Sequence, residues 1–440
     1  MSTKTTIFSL PNELLGAIAA AGQEERVADS YGPDPRWHTD SKIDNFRSEW
    51  VLSHVSRRFR DVIINSPALW TLIGAKLDAW GSVEMLKLYL DRSCACKISI
   101  TLREFPKNTD ADLDDDALEL RLIRVSQIVP HISRVRTLRI LLGTERIVEL
   151  LSPFRVIAAP HLQHLEIIKA SDEEDATLVI FSSGAPKLTF VKIVGLALDL
   201  PTAPWTASLT YLWLQRYQFD WVINNLVPLT AQCPLLVHLH FDTHFRTKGD
   251  RVRIPTLKSL HITISVQEVA HNHLVDIVNL FDAPALAEFT VRGTHGDQIC
   301  RLFNSTGLTQ SSFPALTSLS FSRPTACACD AENTLYRTIS SPPVALFPAL
   351  SNLTLINQCF TPHLIRDILG PGSQAWSFLK TFELVPKRDS LQDVRSALED
   401  VVAKRRLQQS FPAIKLFRPR RLGNWGLYAN SQDEEVASFP

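Results

Sequence analysis

Residues 314–321 read PALTSLSF and residues 255–262 read PTLKSLHI. Both share one skeleton: a proline, then apolar residues at Leu316/Leu319/Phe321 and at Leu257/Leu260/Ile262. The unit apolar-x-x-apolar-x-apolar also occurs at Val135/Leu138/Ile140, Leu162/Leu165/Ile167, Leu188/Val191/Ile193 and Leu209/Leu212/Leu214. Leu236/Leu239/Phe241, Leu286/Phe289/Val291, Leu350/Leu353/Leu355 and Leu379/Phe382/Leu384 complete the set. The first anchors advance by 27, 26, 21, 27, 21, 29, 30, 34 and 29 residues. The last two anchors of each unit alternate with polar residues, as a half-buried strand requires. Pro160, Pro186, Pro234, Pro255, Pro284, Pro314 and Pro348 each stand two residues before a first anchor. Proline lacks a backbone donor, so it fits the start of a strand and not its middle. It also ends any preceding helix.

Between these units lie amphipathic stretches. Leu274, Ile277, Val278 and Phe281 fall on one helical face. Thr361 and Pro362 open a second helix that would bury Ile365, Ile368 and Leu369. Ser390 and Asp393 start a third, with Val394, Leu398 and Val401 on one side. The repeating element is therefore strand, loop, helix, loop. One such unit cannot bury its own apolar stripe, so about ten must stack. The expected fold class is α/β, a curved parallel sheet with outer helices over residues 131–420.

The remaining composition is ordinary. The chain has 440 residues, 46 basic and 46 acidic side chains, 45% hydrophobic and 21% charged residues. That excludes a disordered chain. Zero net charge excludes bulk attraction to nucleic acid or an anionic membrane. No run reaches the ~18 apolar residues of a membrane span. The first apolar run is broken by Pro11, Asn12 and Glu13, unlike a secretory signal. The expected location is cytoplasmic or nuclear, or both. Seven cysteines are too few for a disulfide framework. Cys94/Cys96 and Cys327/Cys329 are spaced more tightly than a zinc knuckle.

The N-terminal region, residues 1–95, reads as helical. Ser9 and Pro11 open a helix whose apolar edge is Leu14, Leu15 and Ile18. A charged insertion follows near 23–49. Leu52, Val55, Ser56, Phe59, Val62 and Ile63 then repeat at helical spacing, and Ser66-Pro67-Ala68-Leu69-Trp70 closes the segment. "LPNELLGAI" followed by "VLSHVSRRFRDVIINSPALW" resembles an F-box, and residues 131–420 resemble a leucine-rich-repeat domain. The paired layout is similar to the F-box proteins of mushroom-forming fungi. Two departures stand out: the insertion, and Phe59 where the family usually has tryptophan. The repeats also lack the family's regular asparagine. The resemblance implies that Leu10, Pro11, Leu14, Leu15, Ile18, Leu52, Val55, Phe59, Leu69 and Trp70 bind the Skp adaptor of a cullin-RING ubiquitin ligase. Residues 96–130 read as a connector, with "KISITL" (97–102) as a strand, and 421–440 as a loose tail.

Stacked strands align their alternate residues on one concave face. Residues between the last two anchors form a column that includes Arg139, Glu166, Lys192, Trp213, His240 and His261. The preceding positions give Thr137, His164, Phe190, Tyr211 and His238. Gln215, Asp242 and Arg292 lie just beyond the strands' last anchors. Phe190, Tyr211, Trp213, Gln215, His238, His240, Asp242, His261 and Arg292 are the expected substrate-binding residues, because exposed aromatics rimmed by charge make binding hot spots. His238, His240, His244, His261, His271 and His273 are close in sequence, yet no His-Glu-x-x-His pair is present. No phosphate loop and no nucleophile elbow appears. The expectation is a non-enzymatic chain without metal or cofactor, monomeric before assembly. It would bind the Skp adaptor through the F-box and an unknown substrate protein through the repeats. The alternative is a repeat scaffold acting outside any ubiquitin ligase.

Overall fold

The computed structural model describes residues 10–30, 48–77, 82–104, 115–143, 146–169, 177–198, 205–215, 227–228, 230–243, 251–264, 273–294, 296–304, 312–322, 346–356, 379–385, 391–405, 413–418 and 434–439. The chain is mixed α/β and forms two compact units, Met1–Trp205 and Thr206–Pro440. Among the described residues, no helix is long and apolar enough to cross a membrane.

Among the described residues of the first unit, three helices, Asn12–Ser30, Ser48–Val55 and Arg57–Ile64, precede a short 3-10 turn at Pro67–Trp70. The apolar stripe from Leu52 to Ile63 is not one helix. Ser56 interrupts it in an extended conformation, and its hydroxyl accepts from the Phe59 N–H at 3.1 Å. Serine at this position competes with the helix for backbone donors and starts a new one. Trp70 is fully buried and fastens the third helix to the helix Ser82–Arg92. Its Nε1 donates to the Ile63 carbonyl at 2.9 Å, and Tyr89 meets its ring edge-on at 4.9 Å. The Arg92 guanidinium lies 4.3 Å from the ring centroid. The Tyr89 hydroxyl donates to the Glu49 carboxylate.

The strands of this unit are β1 (Leu72–Lys76), β2 (Ile98–Arg103), β3 (Val135–Leu142), β4 (His164–Lys169), β5 (Thr177–Leu178), β6 (Phe190–Val194) and β7 (Ala197–Leu198). β1, β2, β3, β4 and β6 pair in that order, all parallel. β5 and β7 form a separate short pair. The sheet thus begins before residue 131. β1 lies inside the stretch that reads as helical, and β2 is the strand expected from KISITL.

The second unit holds β8 (Tyr211–Gln215), β9 (His238–Thr243), β10 (Val252–Arg253), β11 (Ser259–Ile264), β12 (Phe281–Asp282), β13 (Glu288–Arg292), β14 (Ser318–Ser322), β15 (Asn352–Ile356), β16 (Thr381–Val385), β17 (Ala413–Arg418) and β18 (Glu434–Phe439). From β8 to β17 the strands pair in parallel, with β10 and β12 forming a side pair. β18 pairs with β17 antiparallel. Within the tail expected to be loose, Glu434–Phe439 is therefore an edge strand that covers the backbone groups of β17. The helix predicted from Leu274 ends at Leu280, and Phe281 starts β12. Val394, Leu398 and Val401 are buried on helix Leu391–Arg405, as their spacing predicts. The helix expected after Thr361 lies outside the described residues.

Every residue of the ten anchor triplets is at most 4% exposed. The periodic prolines do not sit at the strand starts. Each is the second residue of a tight turn ahead of the strand. The anchor N–H donates to the carbonyl before the proline, as in Leu162 to Ala159 at 3.1 Å, Leu188 to Ala185 at 3.0 Å and Leu286 to Ala283 at 3.0 Å. The same bond joins Leu236 to Cys233, Leu257 to Ile254, Leu316 to Phe313 and Leu350 to Phe347. Proline's fixed φ suits the second position of a β-turn. Thr206–Ala207–Ser208–Leu209 makes the same turn without proline. The residue before each proline is buried, so the recurring unit includes a fourth inward-facing position.

Candidate functional site

Two surfaces carry the residues singled out from the sequence. The first is the N-terminal helical cluster. Arg58 donates to the Asn12 side chain at 2.9 and 3.0 Å and to the Leu10 carbonyl at 2.6 Å, tying the start of the first helix to the third. Leu15, Phe59, Leu69 and Trp70 point inward and are buried. They hold the cluster together and do not offer a surface. Leu14, Ile18 and Val55 remain 50%, 41% and 50% exposed. Pro11 is exposed, and Leu10 and Leu52 are partly so. Trp50, Val51 and Ile64 are also exposed, although the sequence pattern does not single them out. Their signal lies on a second helix face, outside the single apolar stripe that helical spacing defines.

The second surface is the sheet face opposite the anchors. Its columns follow the register expected from the spacing. Trp213, His240, His261, Thr290, Ser320, Thr354, Glu383 and Lys415 stand side by side on successive strands. Tyr211, His238, Ser259 and Glu288 form the neighbouring column, and Asp242, Thr263 and Arg292 the next. His240 stacks flat on Trp213, with centroids 4.2 Å apart and planes at 11°. Its Nε2 lies 3.7 Å from Asp242 Oδ1. Tyr211 meets His238 at 5.6 Å, and His240 meets His261 at 5.6 Å. His238 is exposed, whereas Tyr211, Trp213, Gln215, Asp242, His261 and Arg292 are partly so. Burial pushes the Tyr211 hydroxyl up. Among the described residues, no group of three or more His, Cys, Asp or Glu converges as metal ligands would.

Phe190 belongs to the first unit. There it stacks on His164 at 4.0 Å with planes 6° apart. Beside it Arg139, Glu166 and Lys192 form a charged ladder across three strands. Arg139 Nε reaches Glu166 Oε2 at 2.5 Å, and Lys192 Nζ reaches Oε1 at 2.9 Å. Burial pushes the Glu166 carboxyl up, but the two cations outweigh it and hold it below the usual range.

His164 and His261, one on each face, are set against protonation. Burial, joined by the charges of Arg139 and Lys192 and opposed by Glu166, lowers His164 to about 4. Burial, then His240, Arg292 and His238, lowers His261 to about 4. The unfolded chain therefore binds more protons than the folded one between pH 6.5 and about 4. Stability is full above that window and falls as pH drops through it, by about 1–3 kcal/mol per histidine. Urea denaturation at pH 7.5, 6 and 5 is expected to show this loss. His261→Gln is expected to remove its share, leaving a shallower slope.

No family model matches the chain, and no curated protein matches it. Among solved structures, the chain is similar to a Bacteroides fragilis protein from a structural-genomics programme. That similarity has 15% identity, covers 62% of this chain and 67% of the other, and has a TM-score of 0.29. So loose a likeness bears on neither fold nor function.

Proposed function

We propose that this chain is a non-enzymatic adaptor of an SCF-type cullin-RING ubiquitin ligase. In this reading its N-terminal helices are an F-box that binds the Skp adaptor, and its strands and turns are an irregular leucine-rich-repeat solenoid that binds a substrate protein. The observation that carries the reading is the exposed apolar set Leu14, Ile18, Trp50, Val51, Val55 and Ile64 on one small helical cluster, in a stretch that resembles the F-box motif. Lone apolar side chains on a surface are ordinary, but six on three neighbouring helices favour a protein partner. The chain supplies no reacting group in this account. It acts by proximity, raising the effective concentration of a substrate near the ligase.

The substrate would lie on the Tyr211, Trp213, His238 and His261 face, where aromatic rings offer large contact area at low entropic cost. The first test is binding to purified Skp adaptor. Leu14→Asp and Val55→Asp change exposed side chains, so folding should survive. Each would place a carboxylate in an apolar interface and weaken binding at least ~100-fold. A scaffold outside any ligase is the second reading, favoured if a folded chain ignores the adaptor.

A further inference from the structure

Among the described residues, His240 is the one histidine of its face that is buried, at 6% exposure. Its ring is sandwiched by position: Trp213 stacks on it from β8, and His261 lies against it from β11. On its own strand, Asp242 Oδ1 is 3.7 Å from Nε2, too long for a hydrogen bond. Asp242 Oδ1 is itself buried and accepts no hydrogen bond among the described residues. A buried carboxylate oxygen without a donor is costly, and an imidazolium at this spot would supply the donor.

We propose that Trp213, His240 and Asp242 form a proton-operated switch in the sheet face, with His240 as the group that takes up the proton. In the neutral state the ring stacks on Trp213 and leaves Asp242 Oδ1 unserved. On protonation Nε2–H closes on Asp242, and the charged ring gains a cation–π contact with Trp213.

The other titratable and charged groups facing His240 fix the direction. His238 shares its strand and is solvated, and Tyr211 sits beside it on β8. From β11, His261 stays neutral to about pH 4, so it does not compete for the proton above that. Arg292, two strands away on β13, adds positive charge that opposes uptake. Asp242 is the acidic side chain of this group, 3.7 Å from Nε2 on the same strand, whereas Arg292 stands two strands away, so the attraction of Asp242 prevails. The switch concerns the face proposed to hold substrate, but it is a property of the free chain and is measured there.

The test is an NMR titration of the full chain, labelled at the histidine rings, together with tryptophan emission, from pH 8 to 4.5. The expected result is a His240 signal titrating between about pH 5 and 8. Emission should fall with the same midpoint, in a component that Trp213→Phe removes. Asp242→Asn is expected to lower the midpoint by about one pH unit, since an adjacent opposite charge is lost. His240→Gln should abolish the emission change. A merely structural Asp242 would alter stability without moving the midpoint. Absence of a His240 titration in that range would overturn the proposal, as would an unchanged midpoint in a folded Asp242→Asn chain. Loss of adaptor or substrate binding in other assays would leave these readings untouched.

Discussion

Gly293→Ala is expected to destabilise the second unit by at least about 3 kcal/mol. The residue follows β13 with φ at +84°, a region that L side chains rarely adopt. Its N–H donates to the Ser322 carbonyl at 2.8 Å, so the backbone cannot swing away without breaking that bond. A Cβ built there would lie 2.0 Å from the Ile264 carbonyl oxygen at the end of β11. The glycine thus lets the chain turn off β13 against its neighbour's backbone. Gly195 repeats the device after β6, with φ at +75° and the Lys169 carbonyl 2.9 Å from a built Cβ. Gly184 supplies the control. It also has a positive φ, +103°, but nothing lies within 4 Å of a built Cβ. Gly184→Ala should cost only the conformational strain, about 1–2 kcal/mol. Urea denaturation of the three variants checks the order Gly293, Gly195, Gly184. Equal costs would show that the close backbone approach is not what matters.

Glu166→Ala is expected to cost about 3–5 kcal/mol in the first unit. Its carboxylate serves Arg139 on one side and Lys192 on the other, and its side chain is 6% exposed. Removing it leaves two cations facing each other in a poorly solvated place. Their mutual repulsion adds to the lost hydrogen bonds. The triple change Arg139→Leu/Glu166→Leu/Lys192→Leu should recover most of the loss, because packed apolar residues can replace a buried ion network. Acid titration offers a second check. The depressed Glu166 group contributes stability that is present above pH 4.5 and is lost as pH falls through its lower folded value. That window opens only at the bottom of the one occupied by His164 and His261, so most of the histidine loss precedes it on the pH axis.

Much of the fold is legible in the sequence because its period is carried by burial. The anchors from Val135 to Leu384 are all inside, and a side chain that must avoid water leaves a trace in sequence. The face columns follow from the same period, since a parallel register with aligned anchors also aligns the residues between them. The differences are local. Proline at this phase reads as a strand start, but a turn holding proline at its second position leaves the same sequence phase. Ser56 reads as part of an apolar stripe, and the hydroxyl that breaks the helix is invisible to a hydrophobic count. β1 is five residues long and follows the Pro67–Trp70 turn within a stretch dominated by helical spacing, so its short alternation does not stand out. β18 is paired through its backbone, and backbone pairing at an edge needs little from the side chains.

The candidate adaptor surface is legible only in part. Helical spacing groups Leu14, Leu15 and Ile18 in one stripe and Val55 and Phe59 in another, yet within each stripe the side chains divide between the cluster's interior and its exterior. Periodicity gives the stripe but not which part of it a third helix covers. The face in the second unit is more fully legible, because Trp213, His240 and His261 depend on one register alone.

In the proposed reading the N-terminal helices dock on the Skp adaptor. The most direct measurement is a calorimetric titration of the folded full chain with purified Skp adaptor, run beside Leu14→Asp and Val55→Asp. The account predicts one-to-one binding by the wild type and at least ~100-fold weaker binding by each variant, with circular dichroism unchanged. A folded wild-type chain that releases no heat and forms no complex with the adaptor, by gel filtration as well, would contradict it.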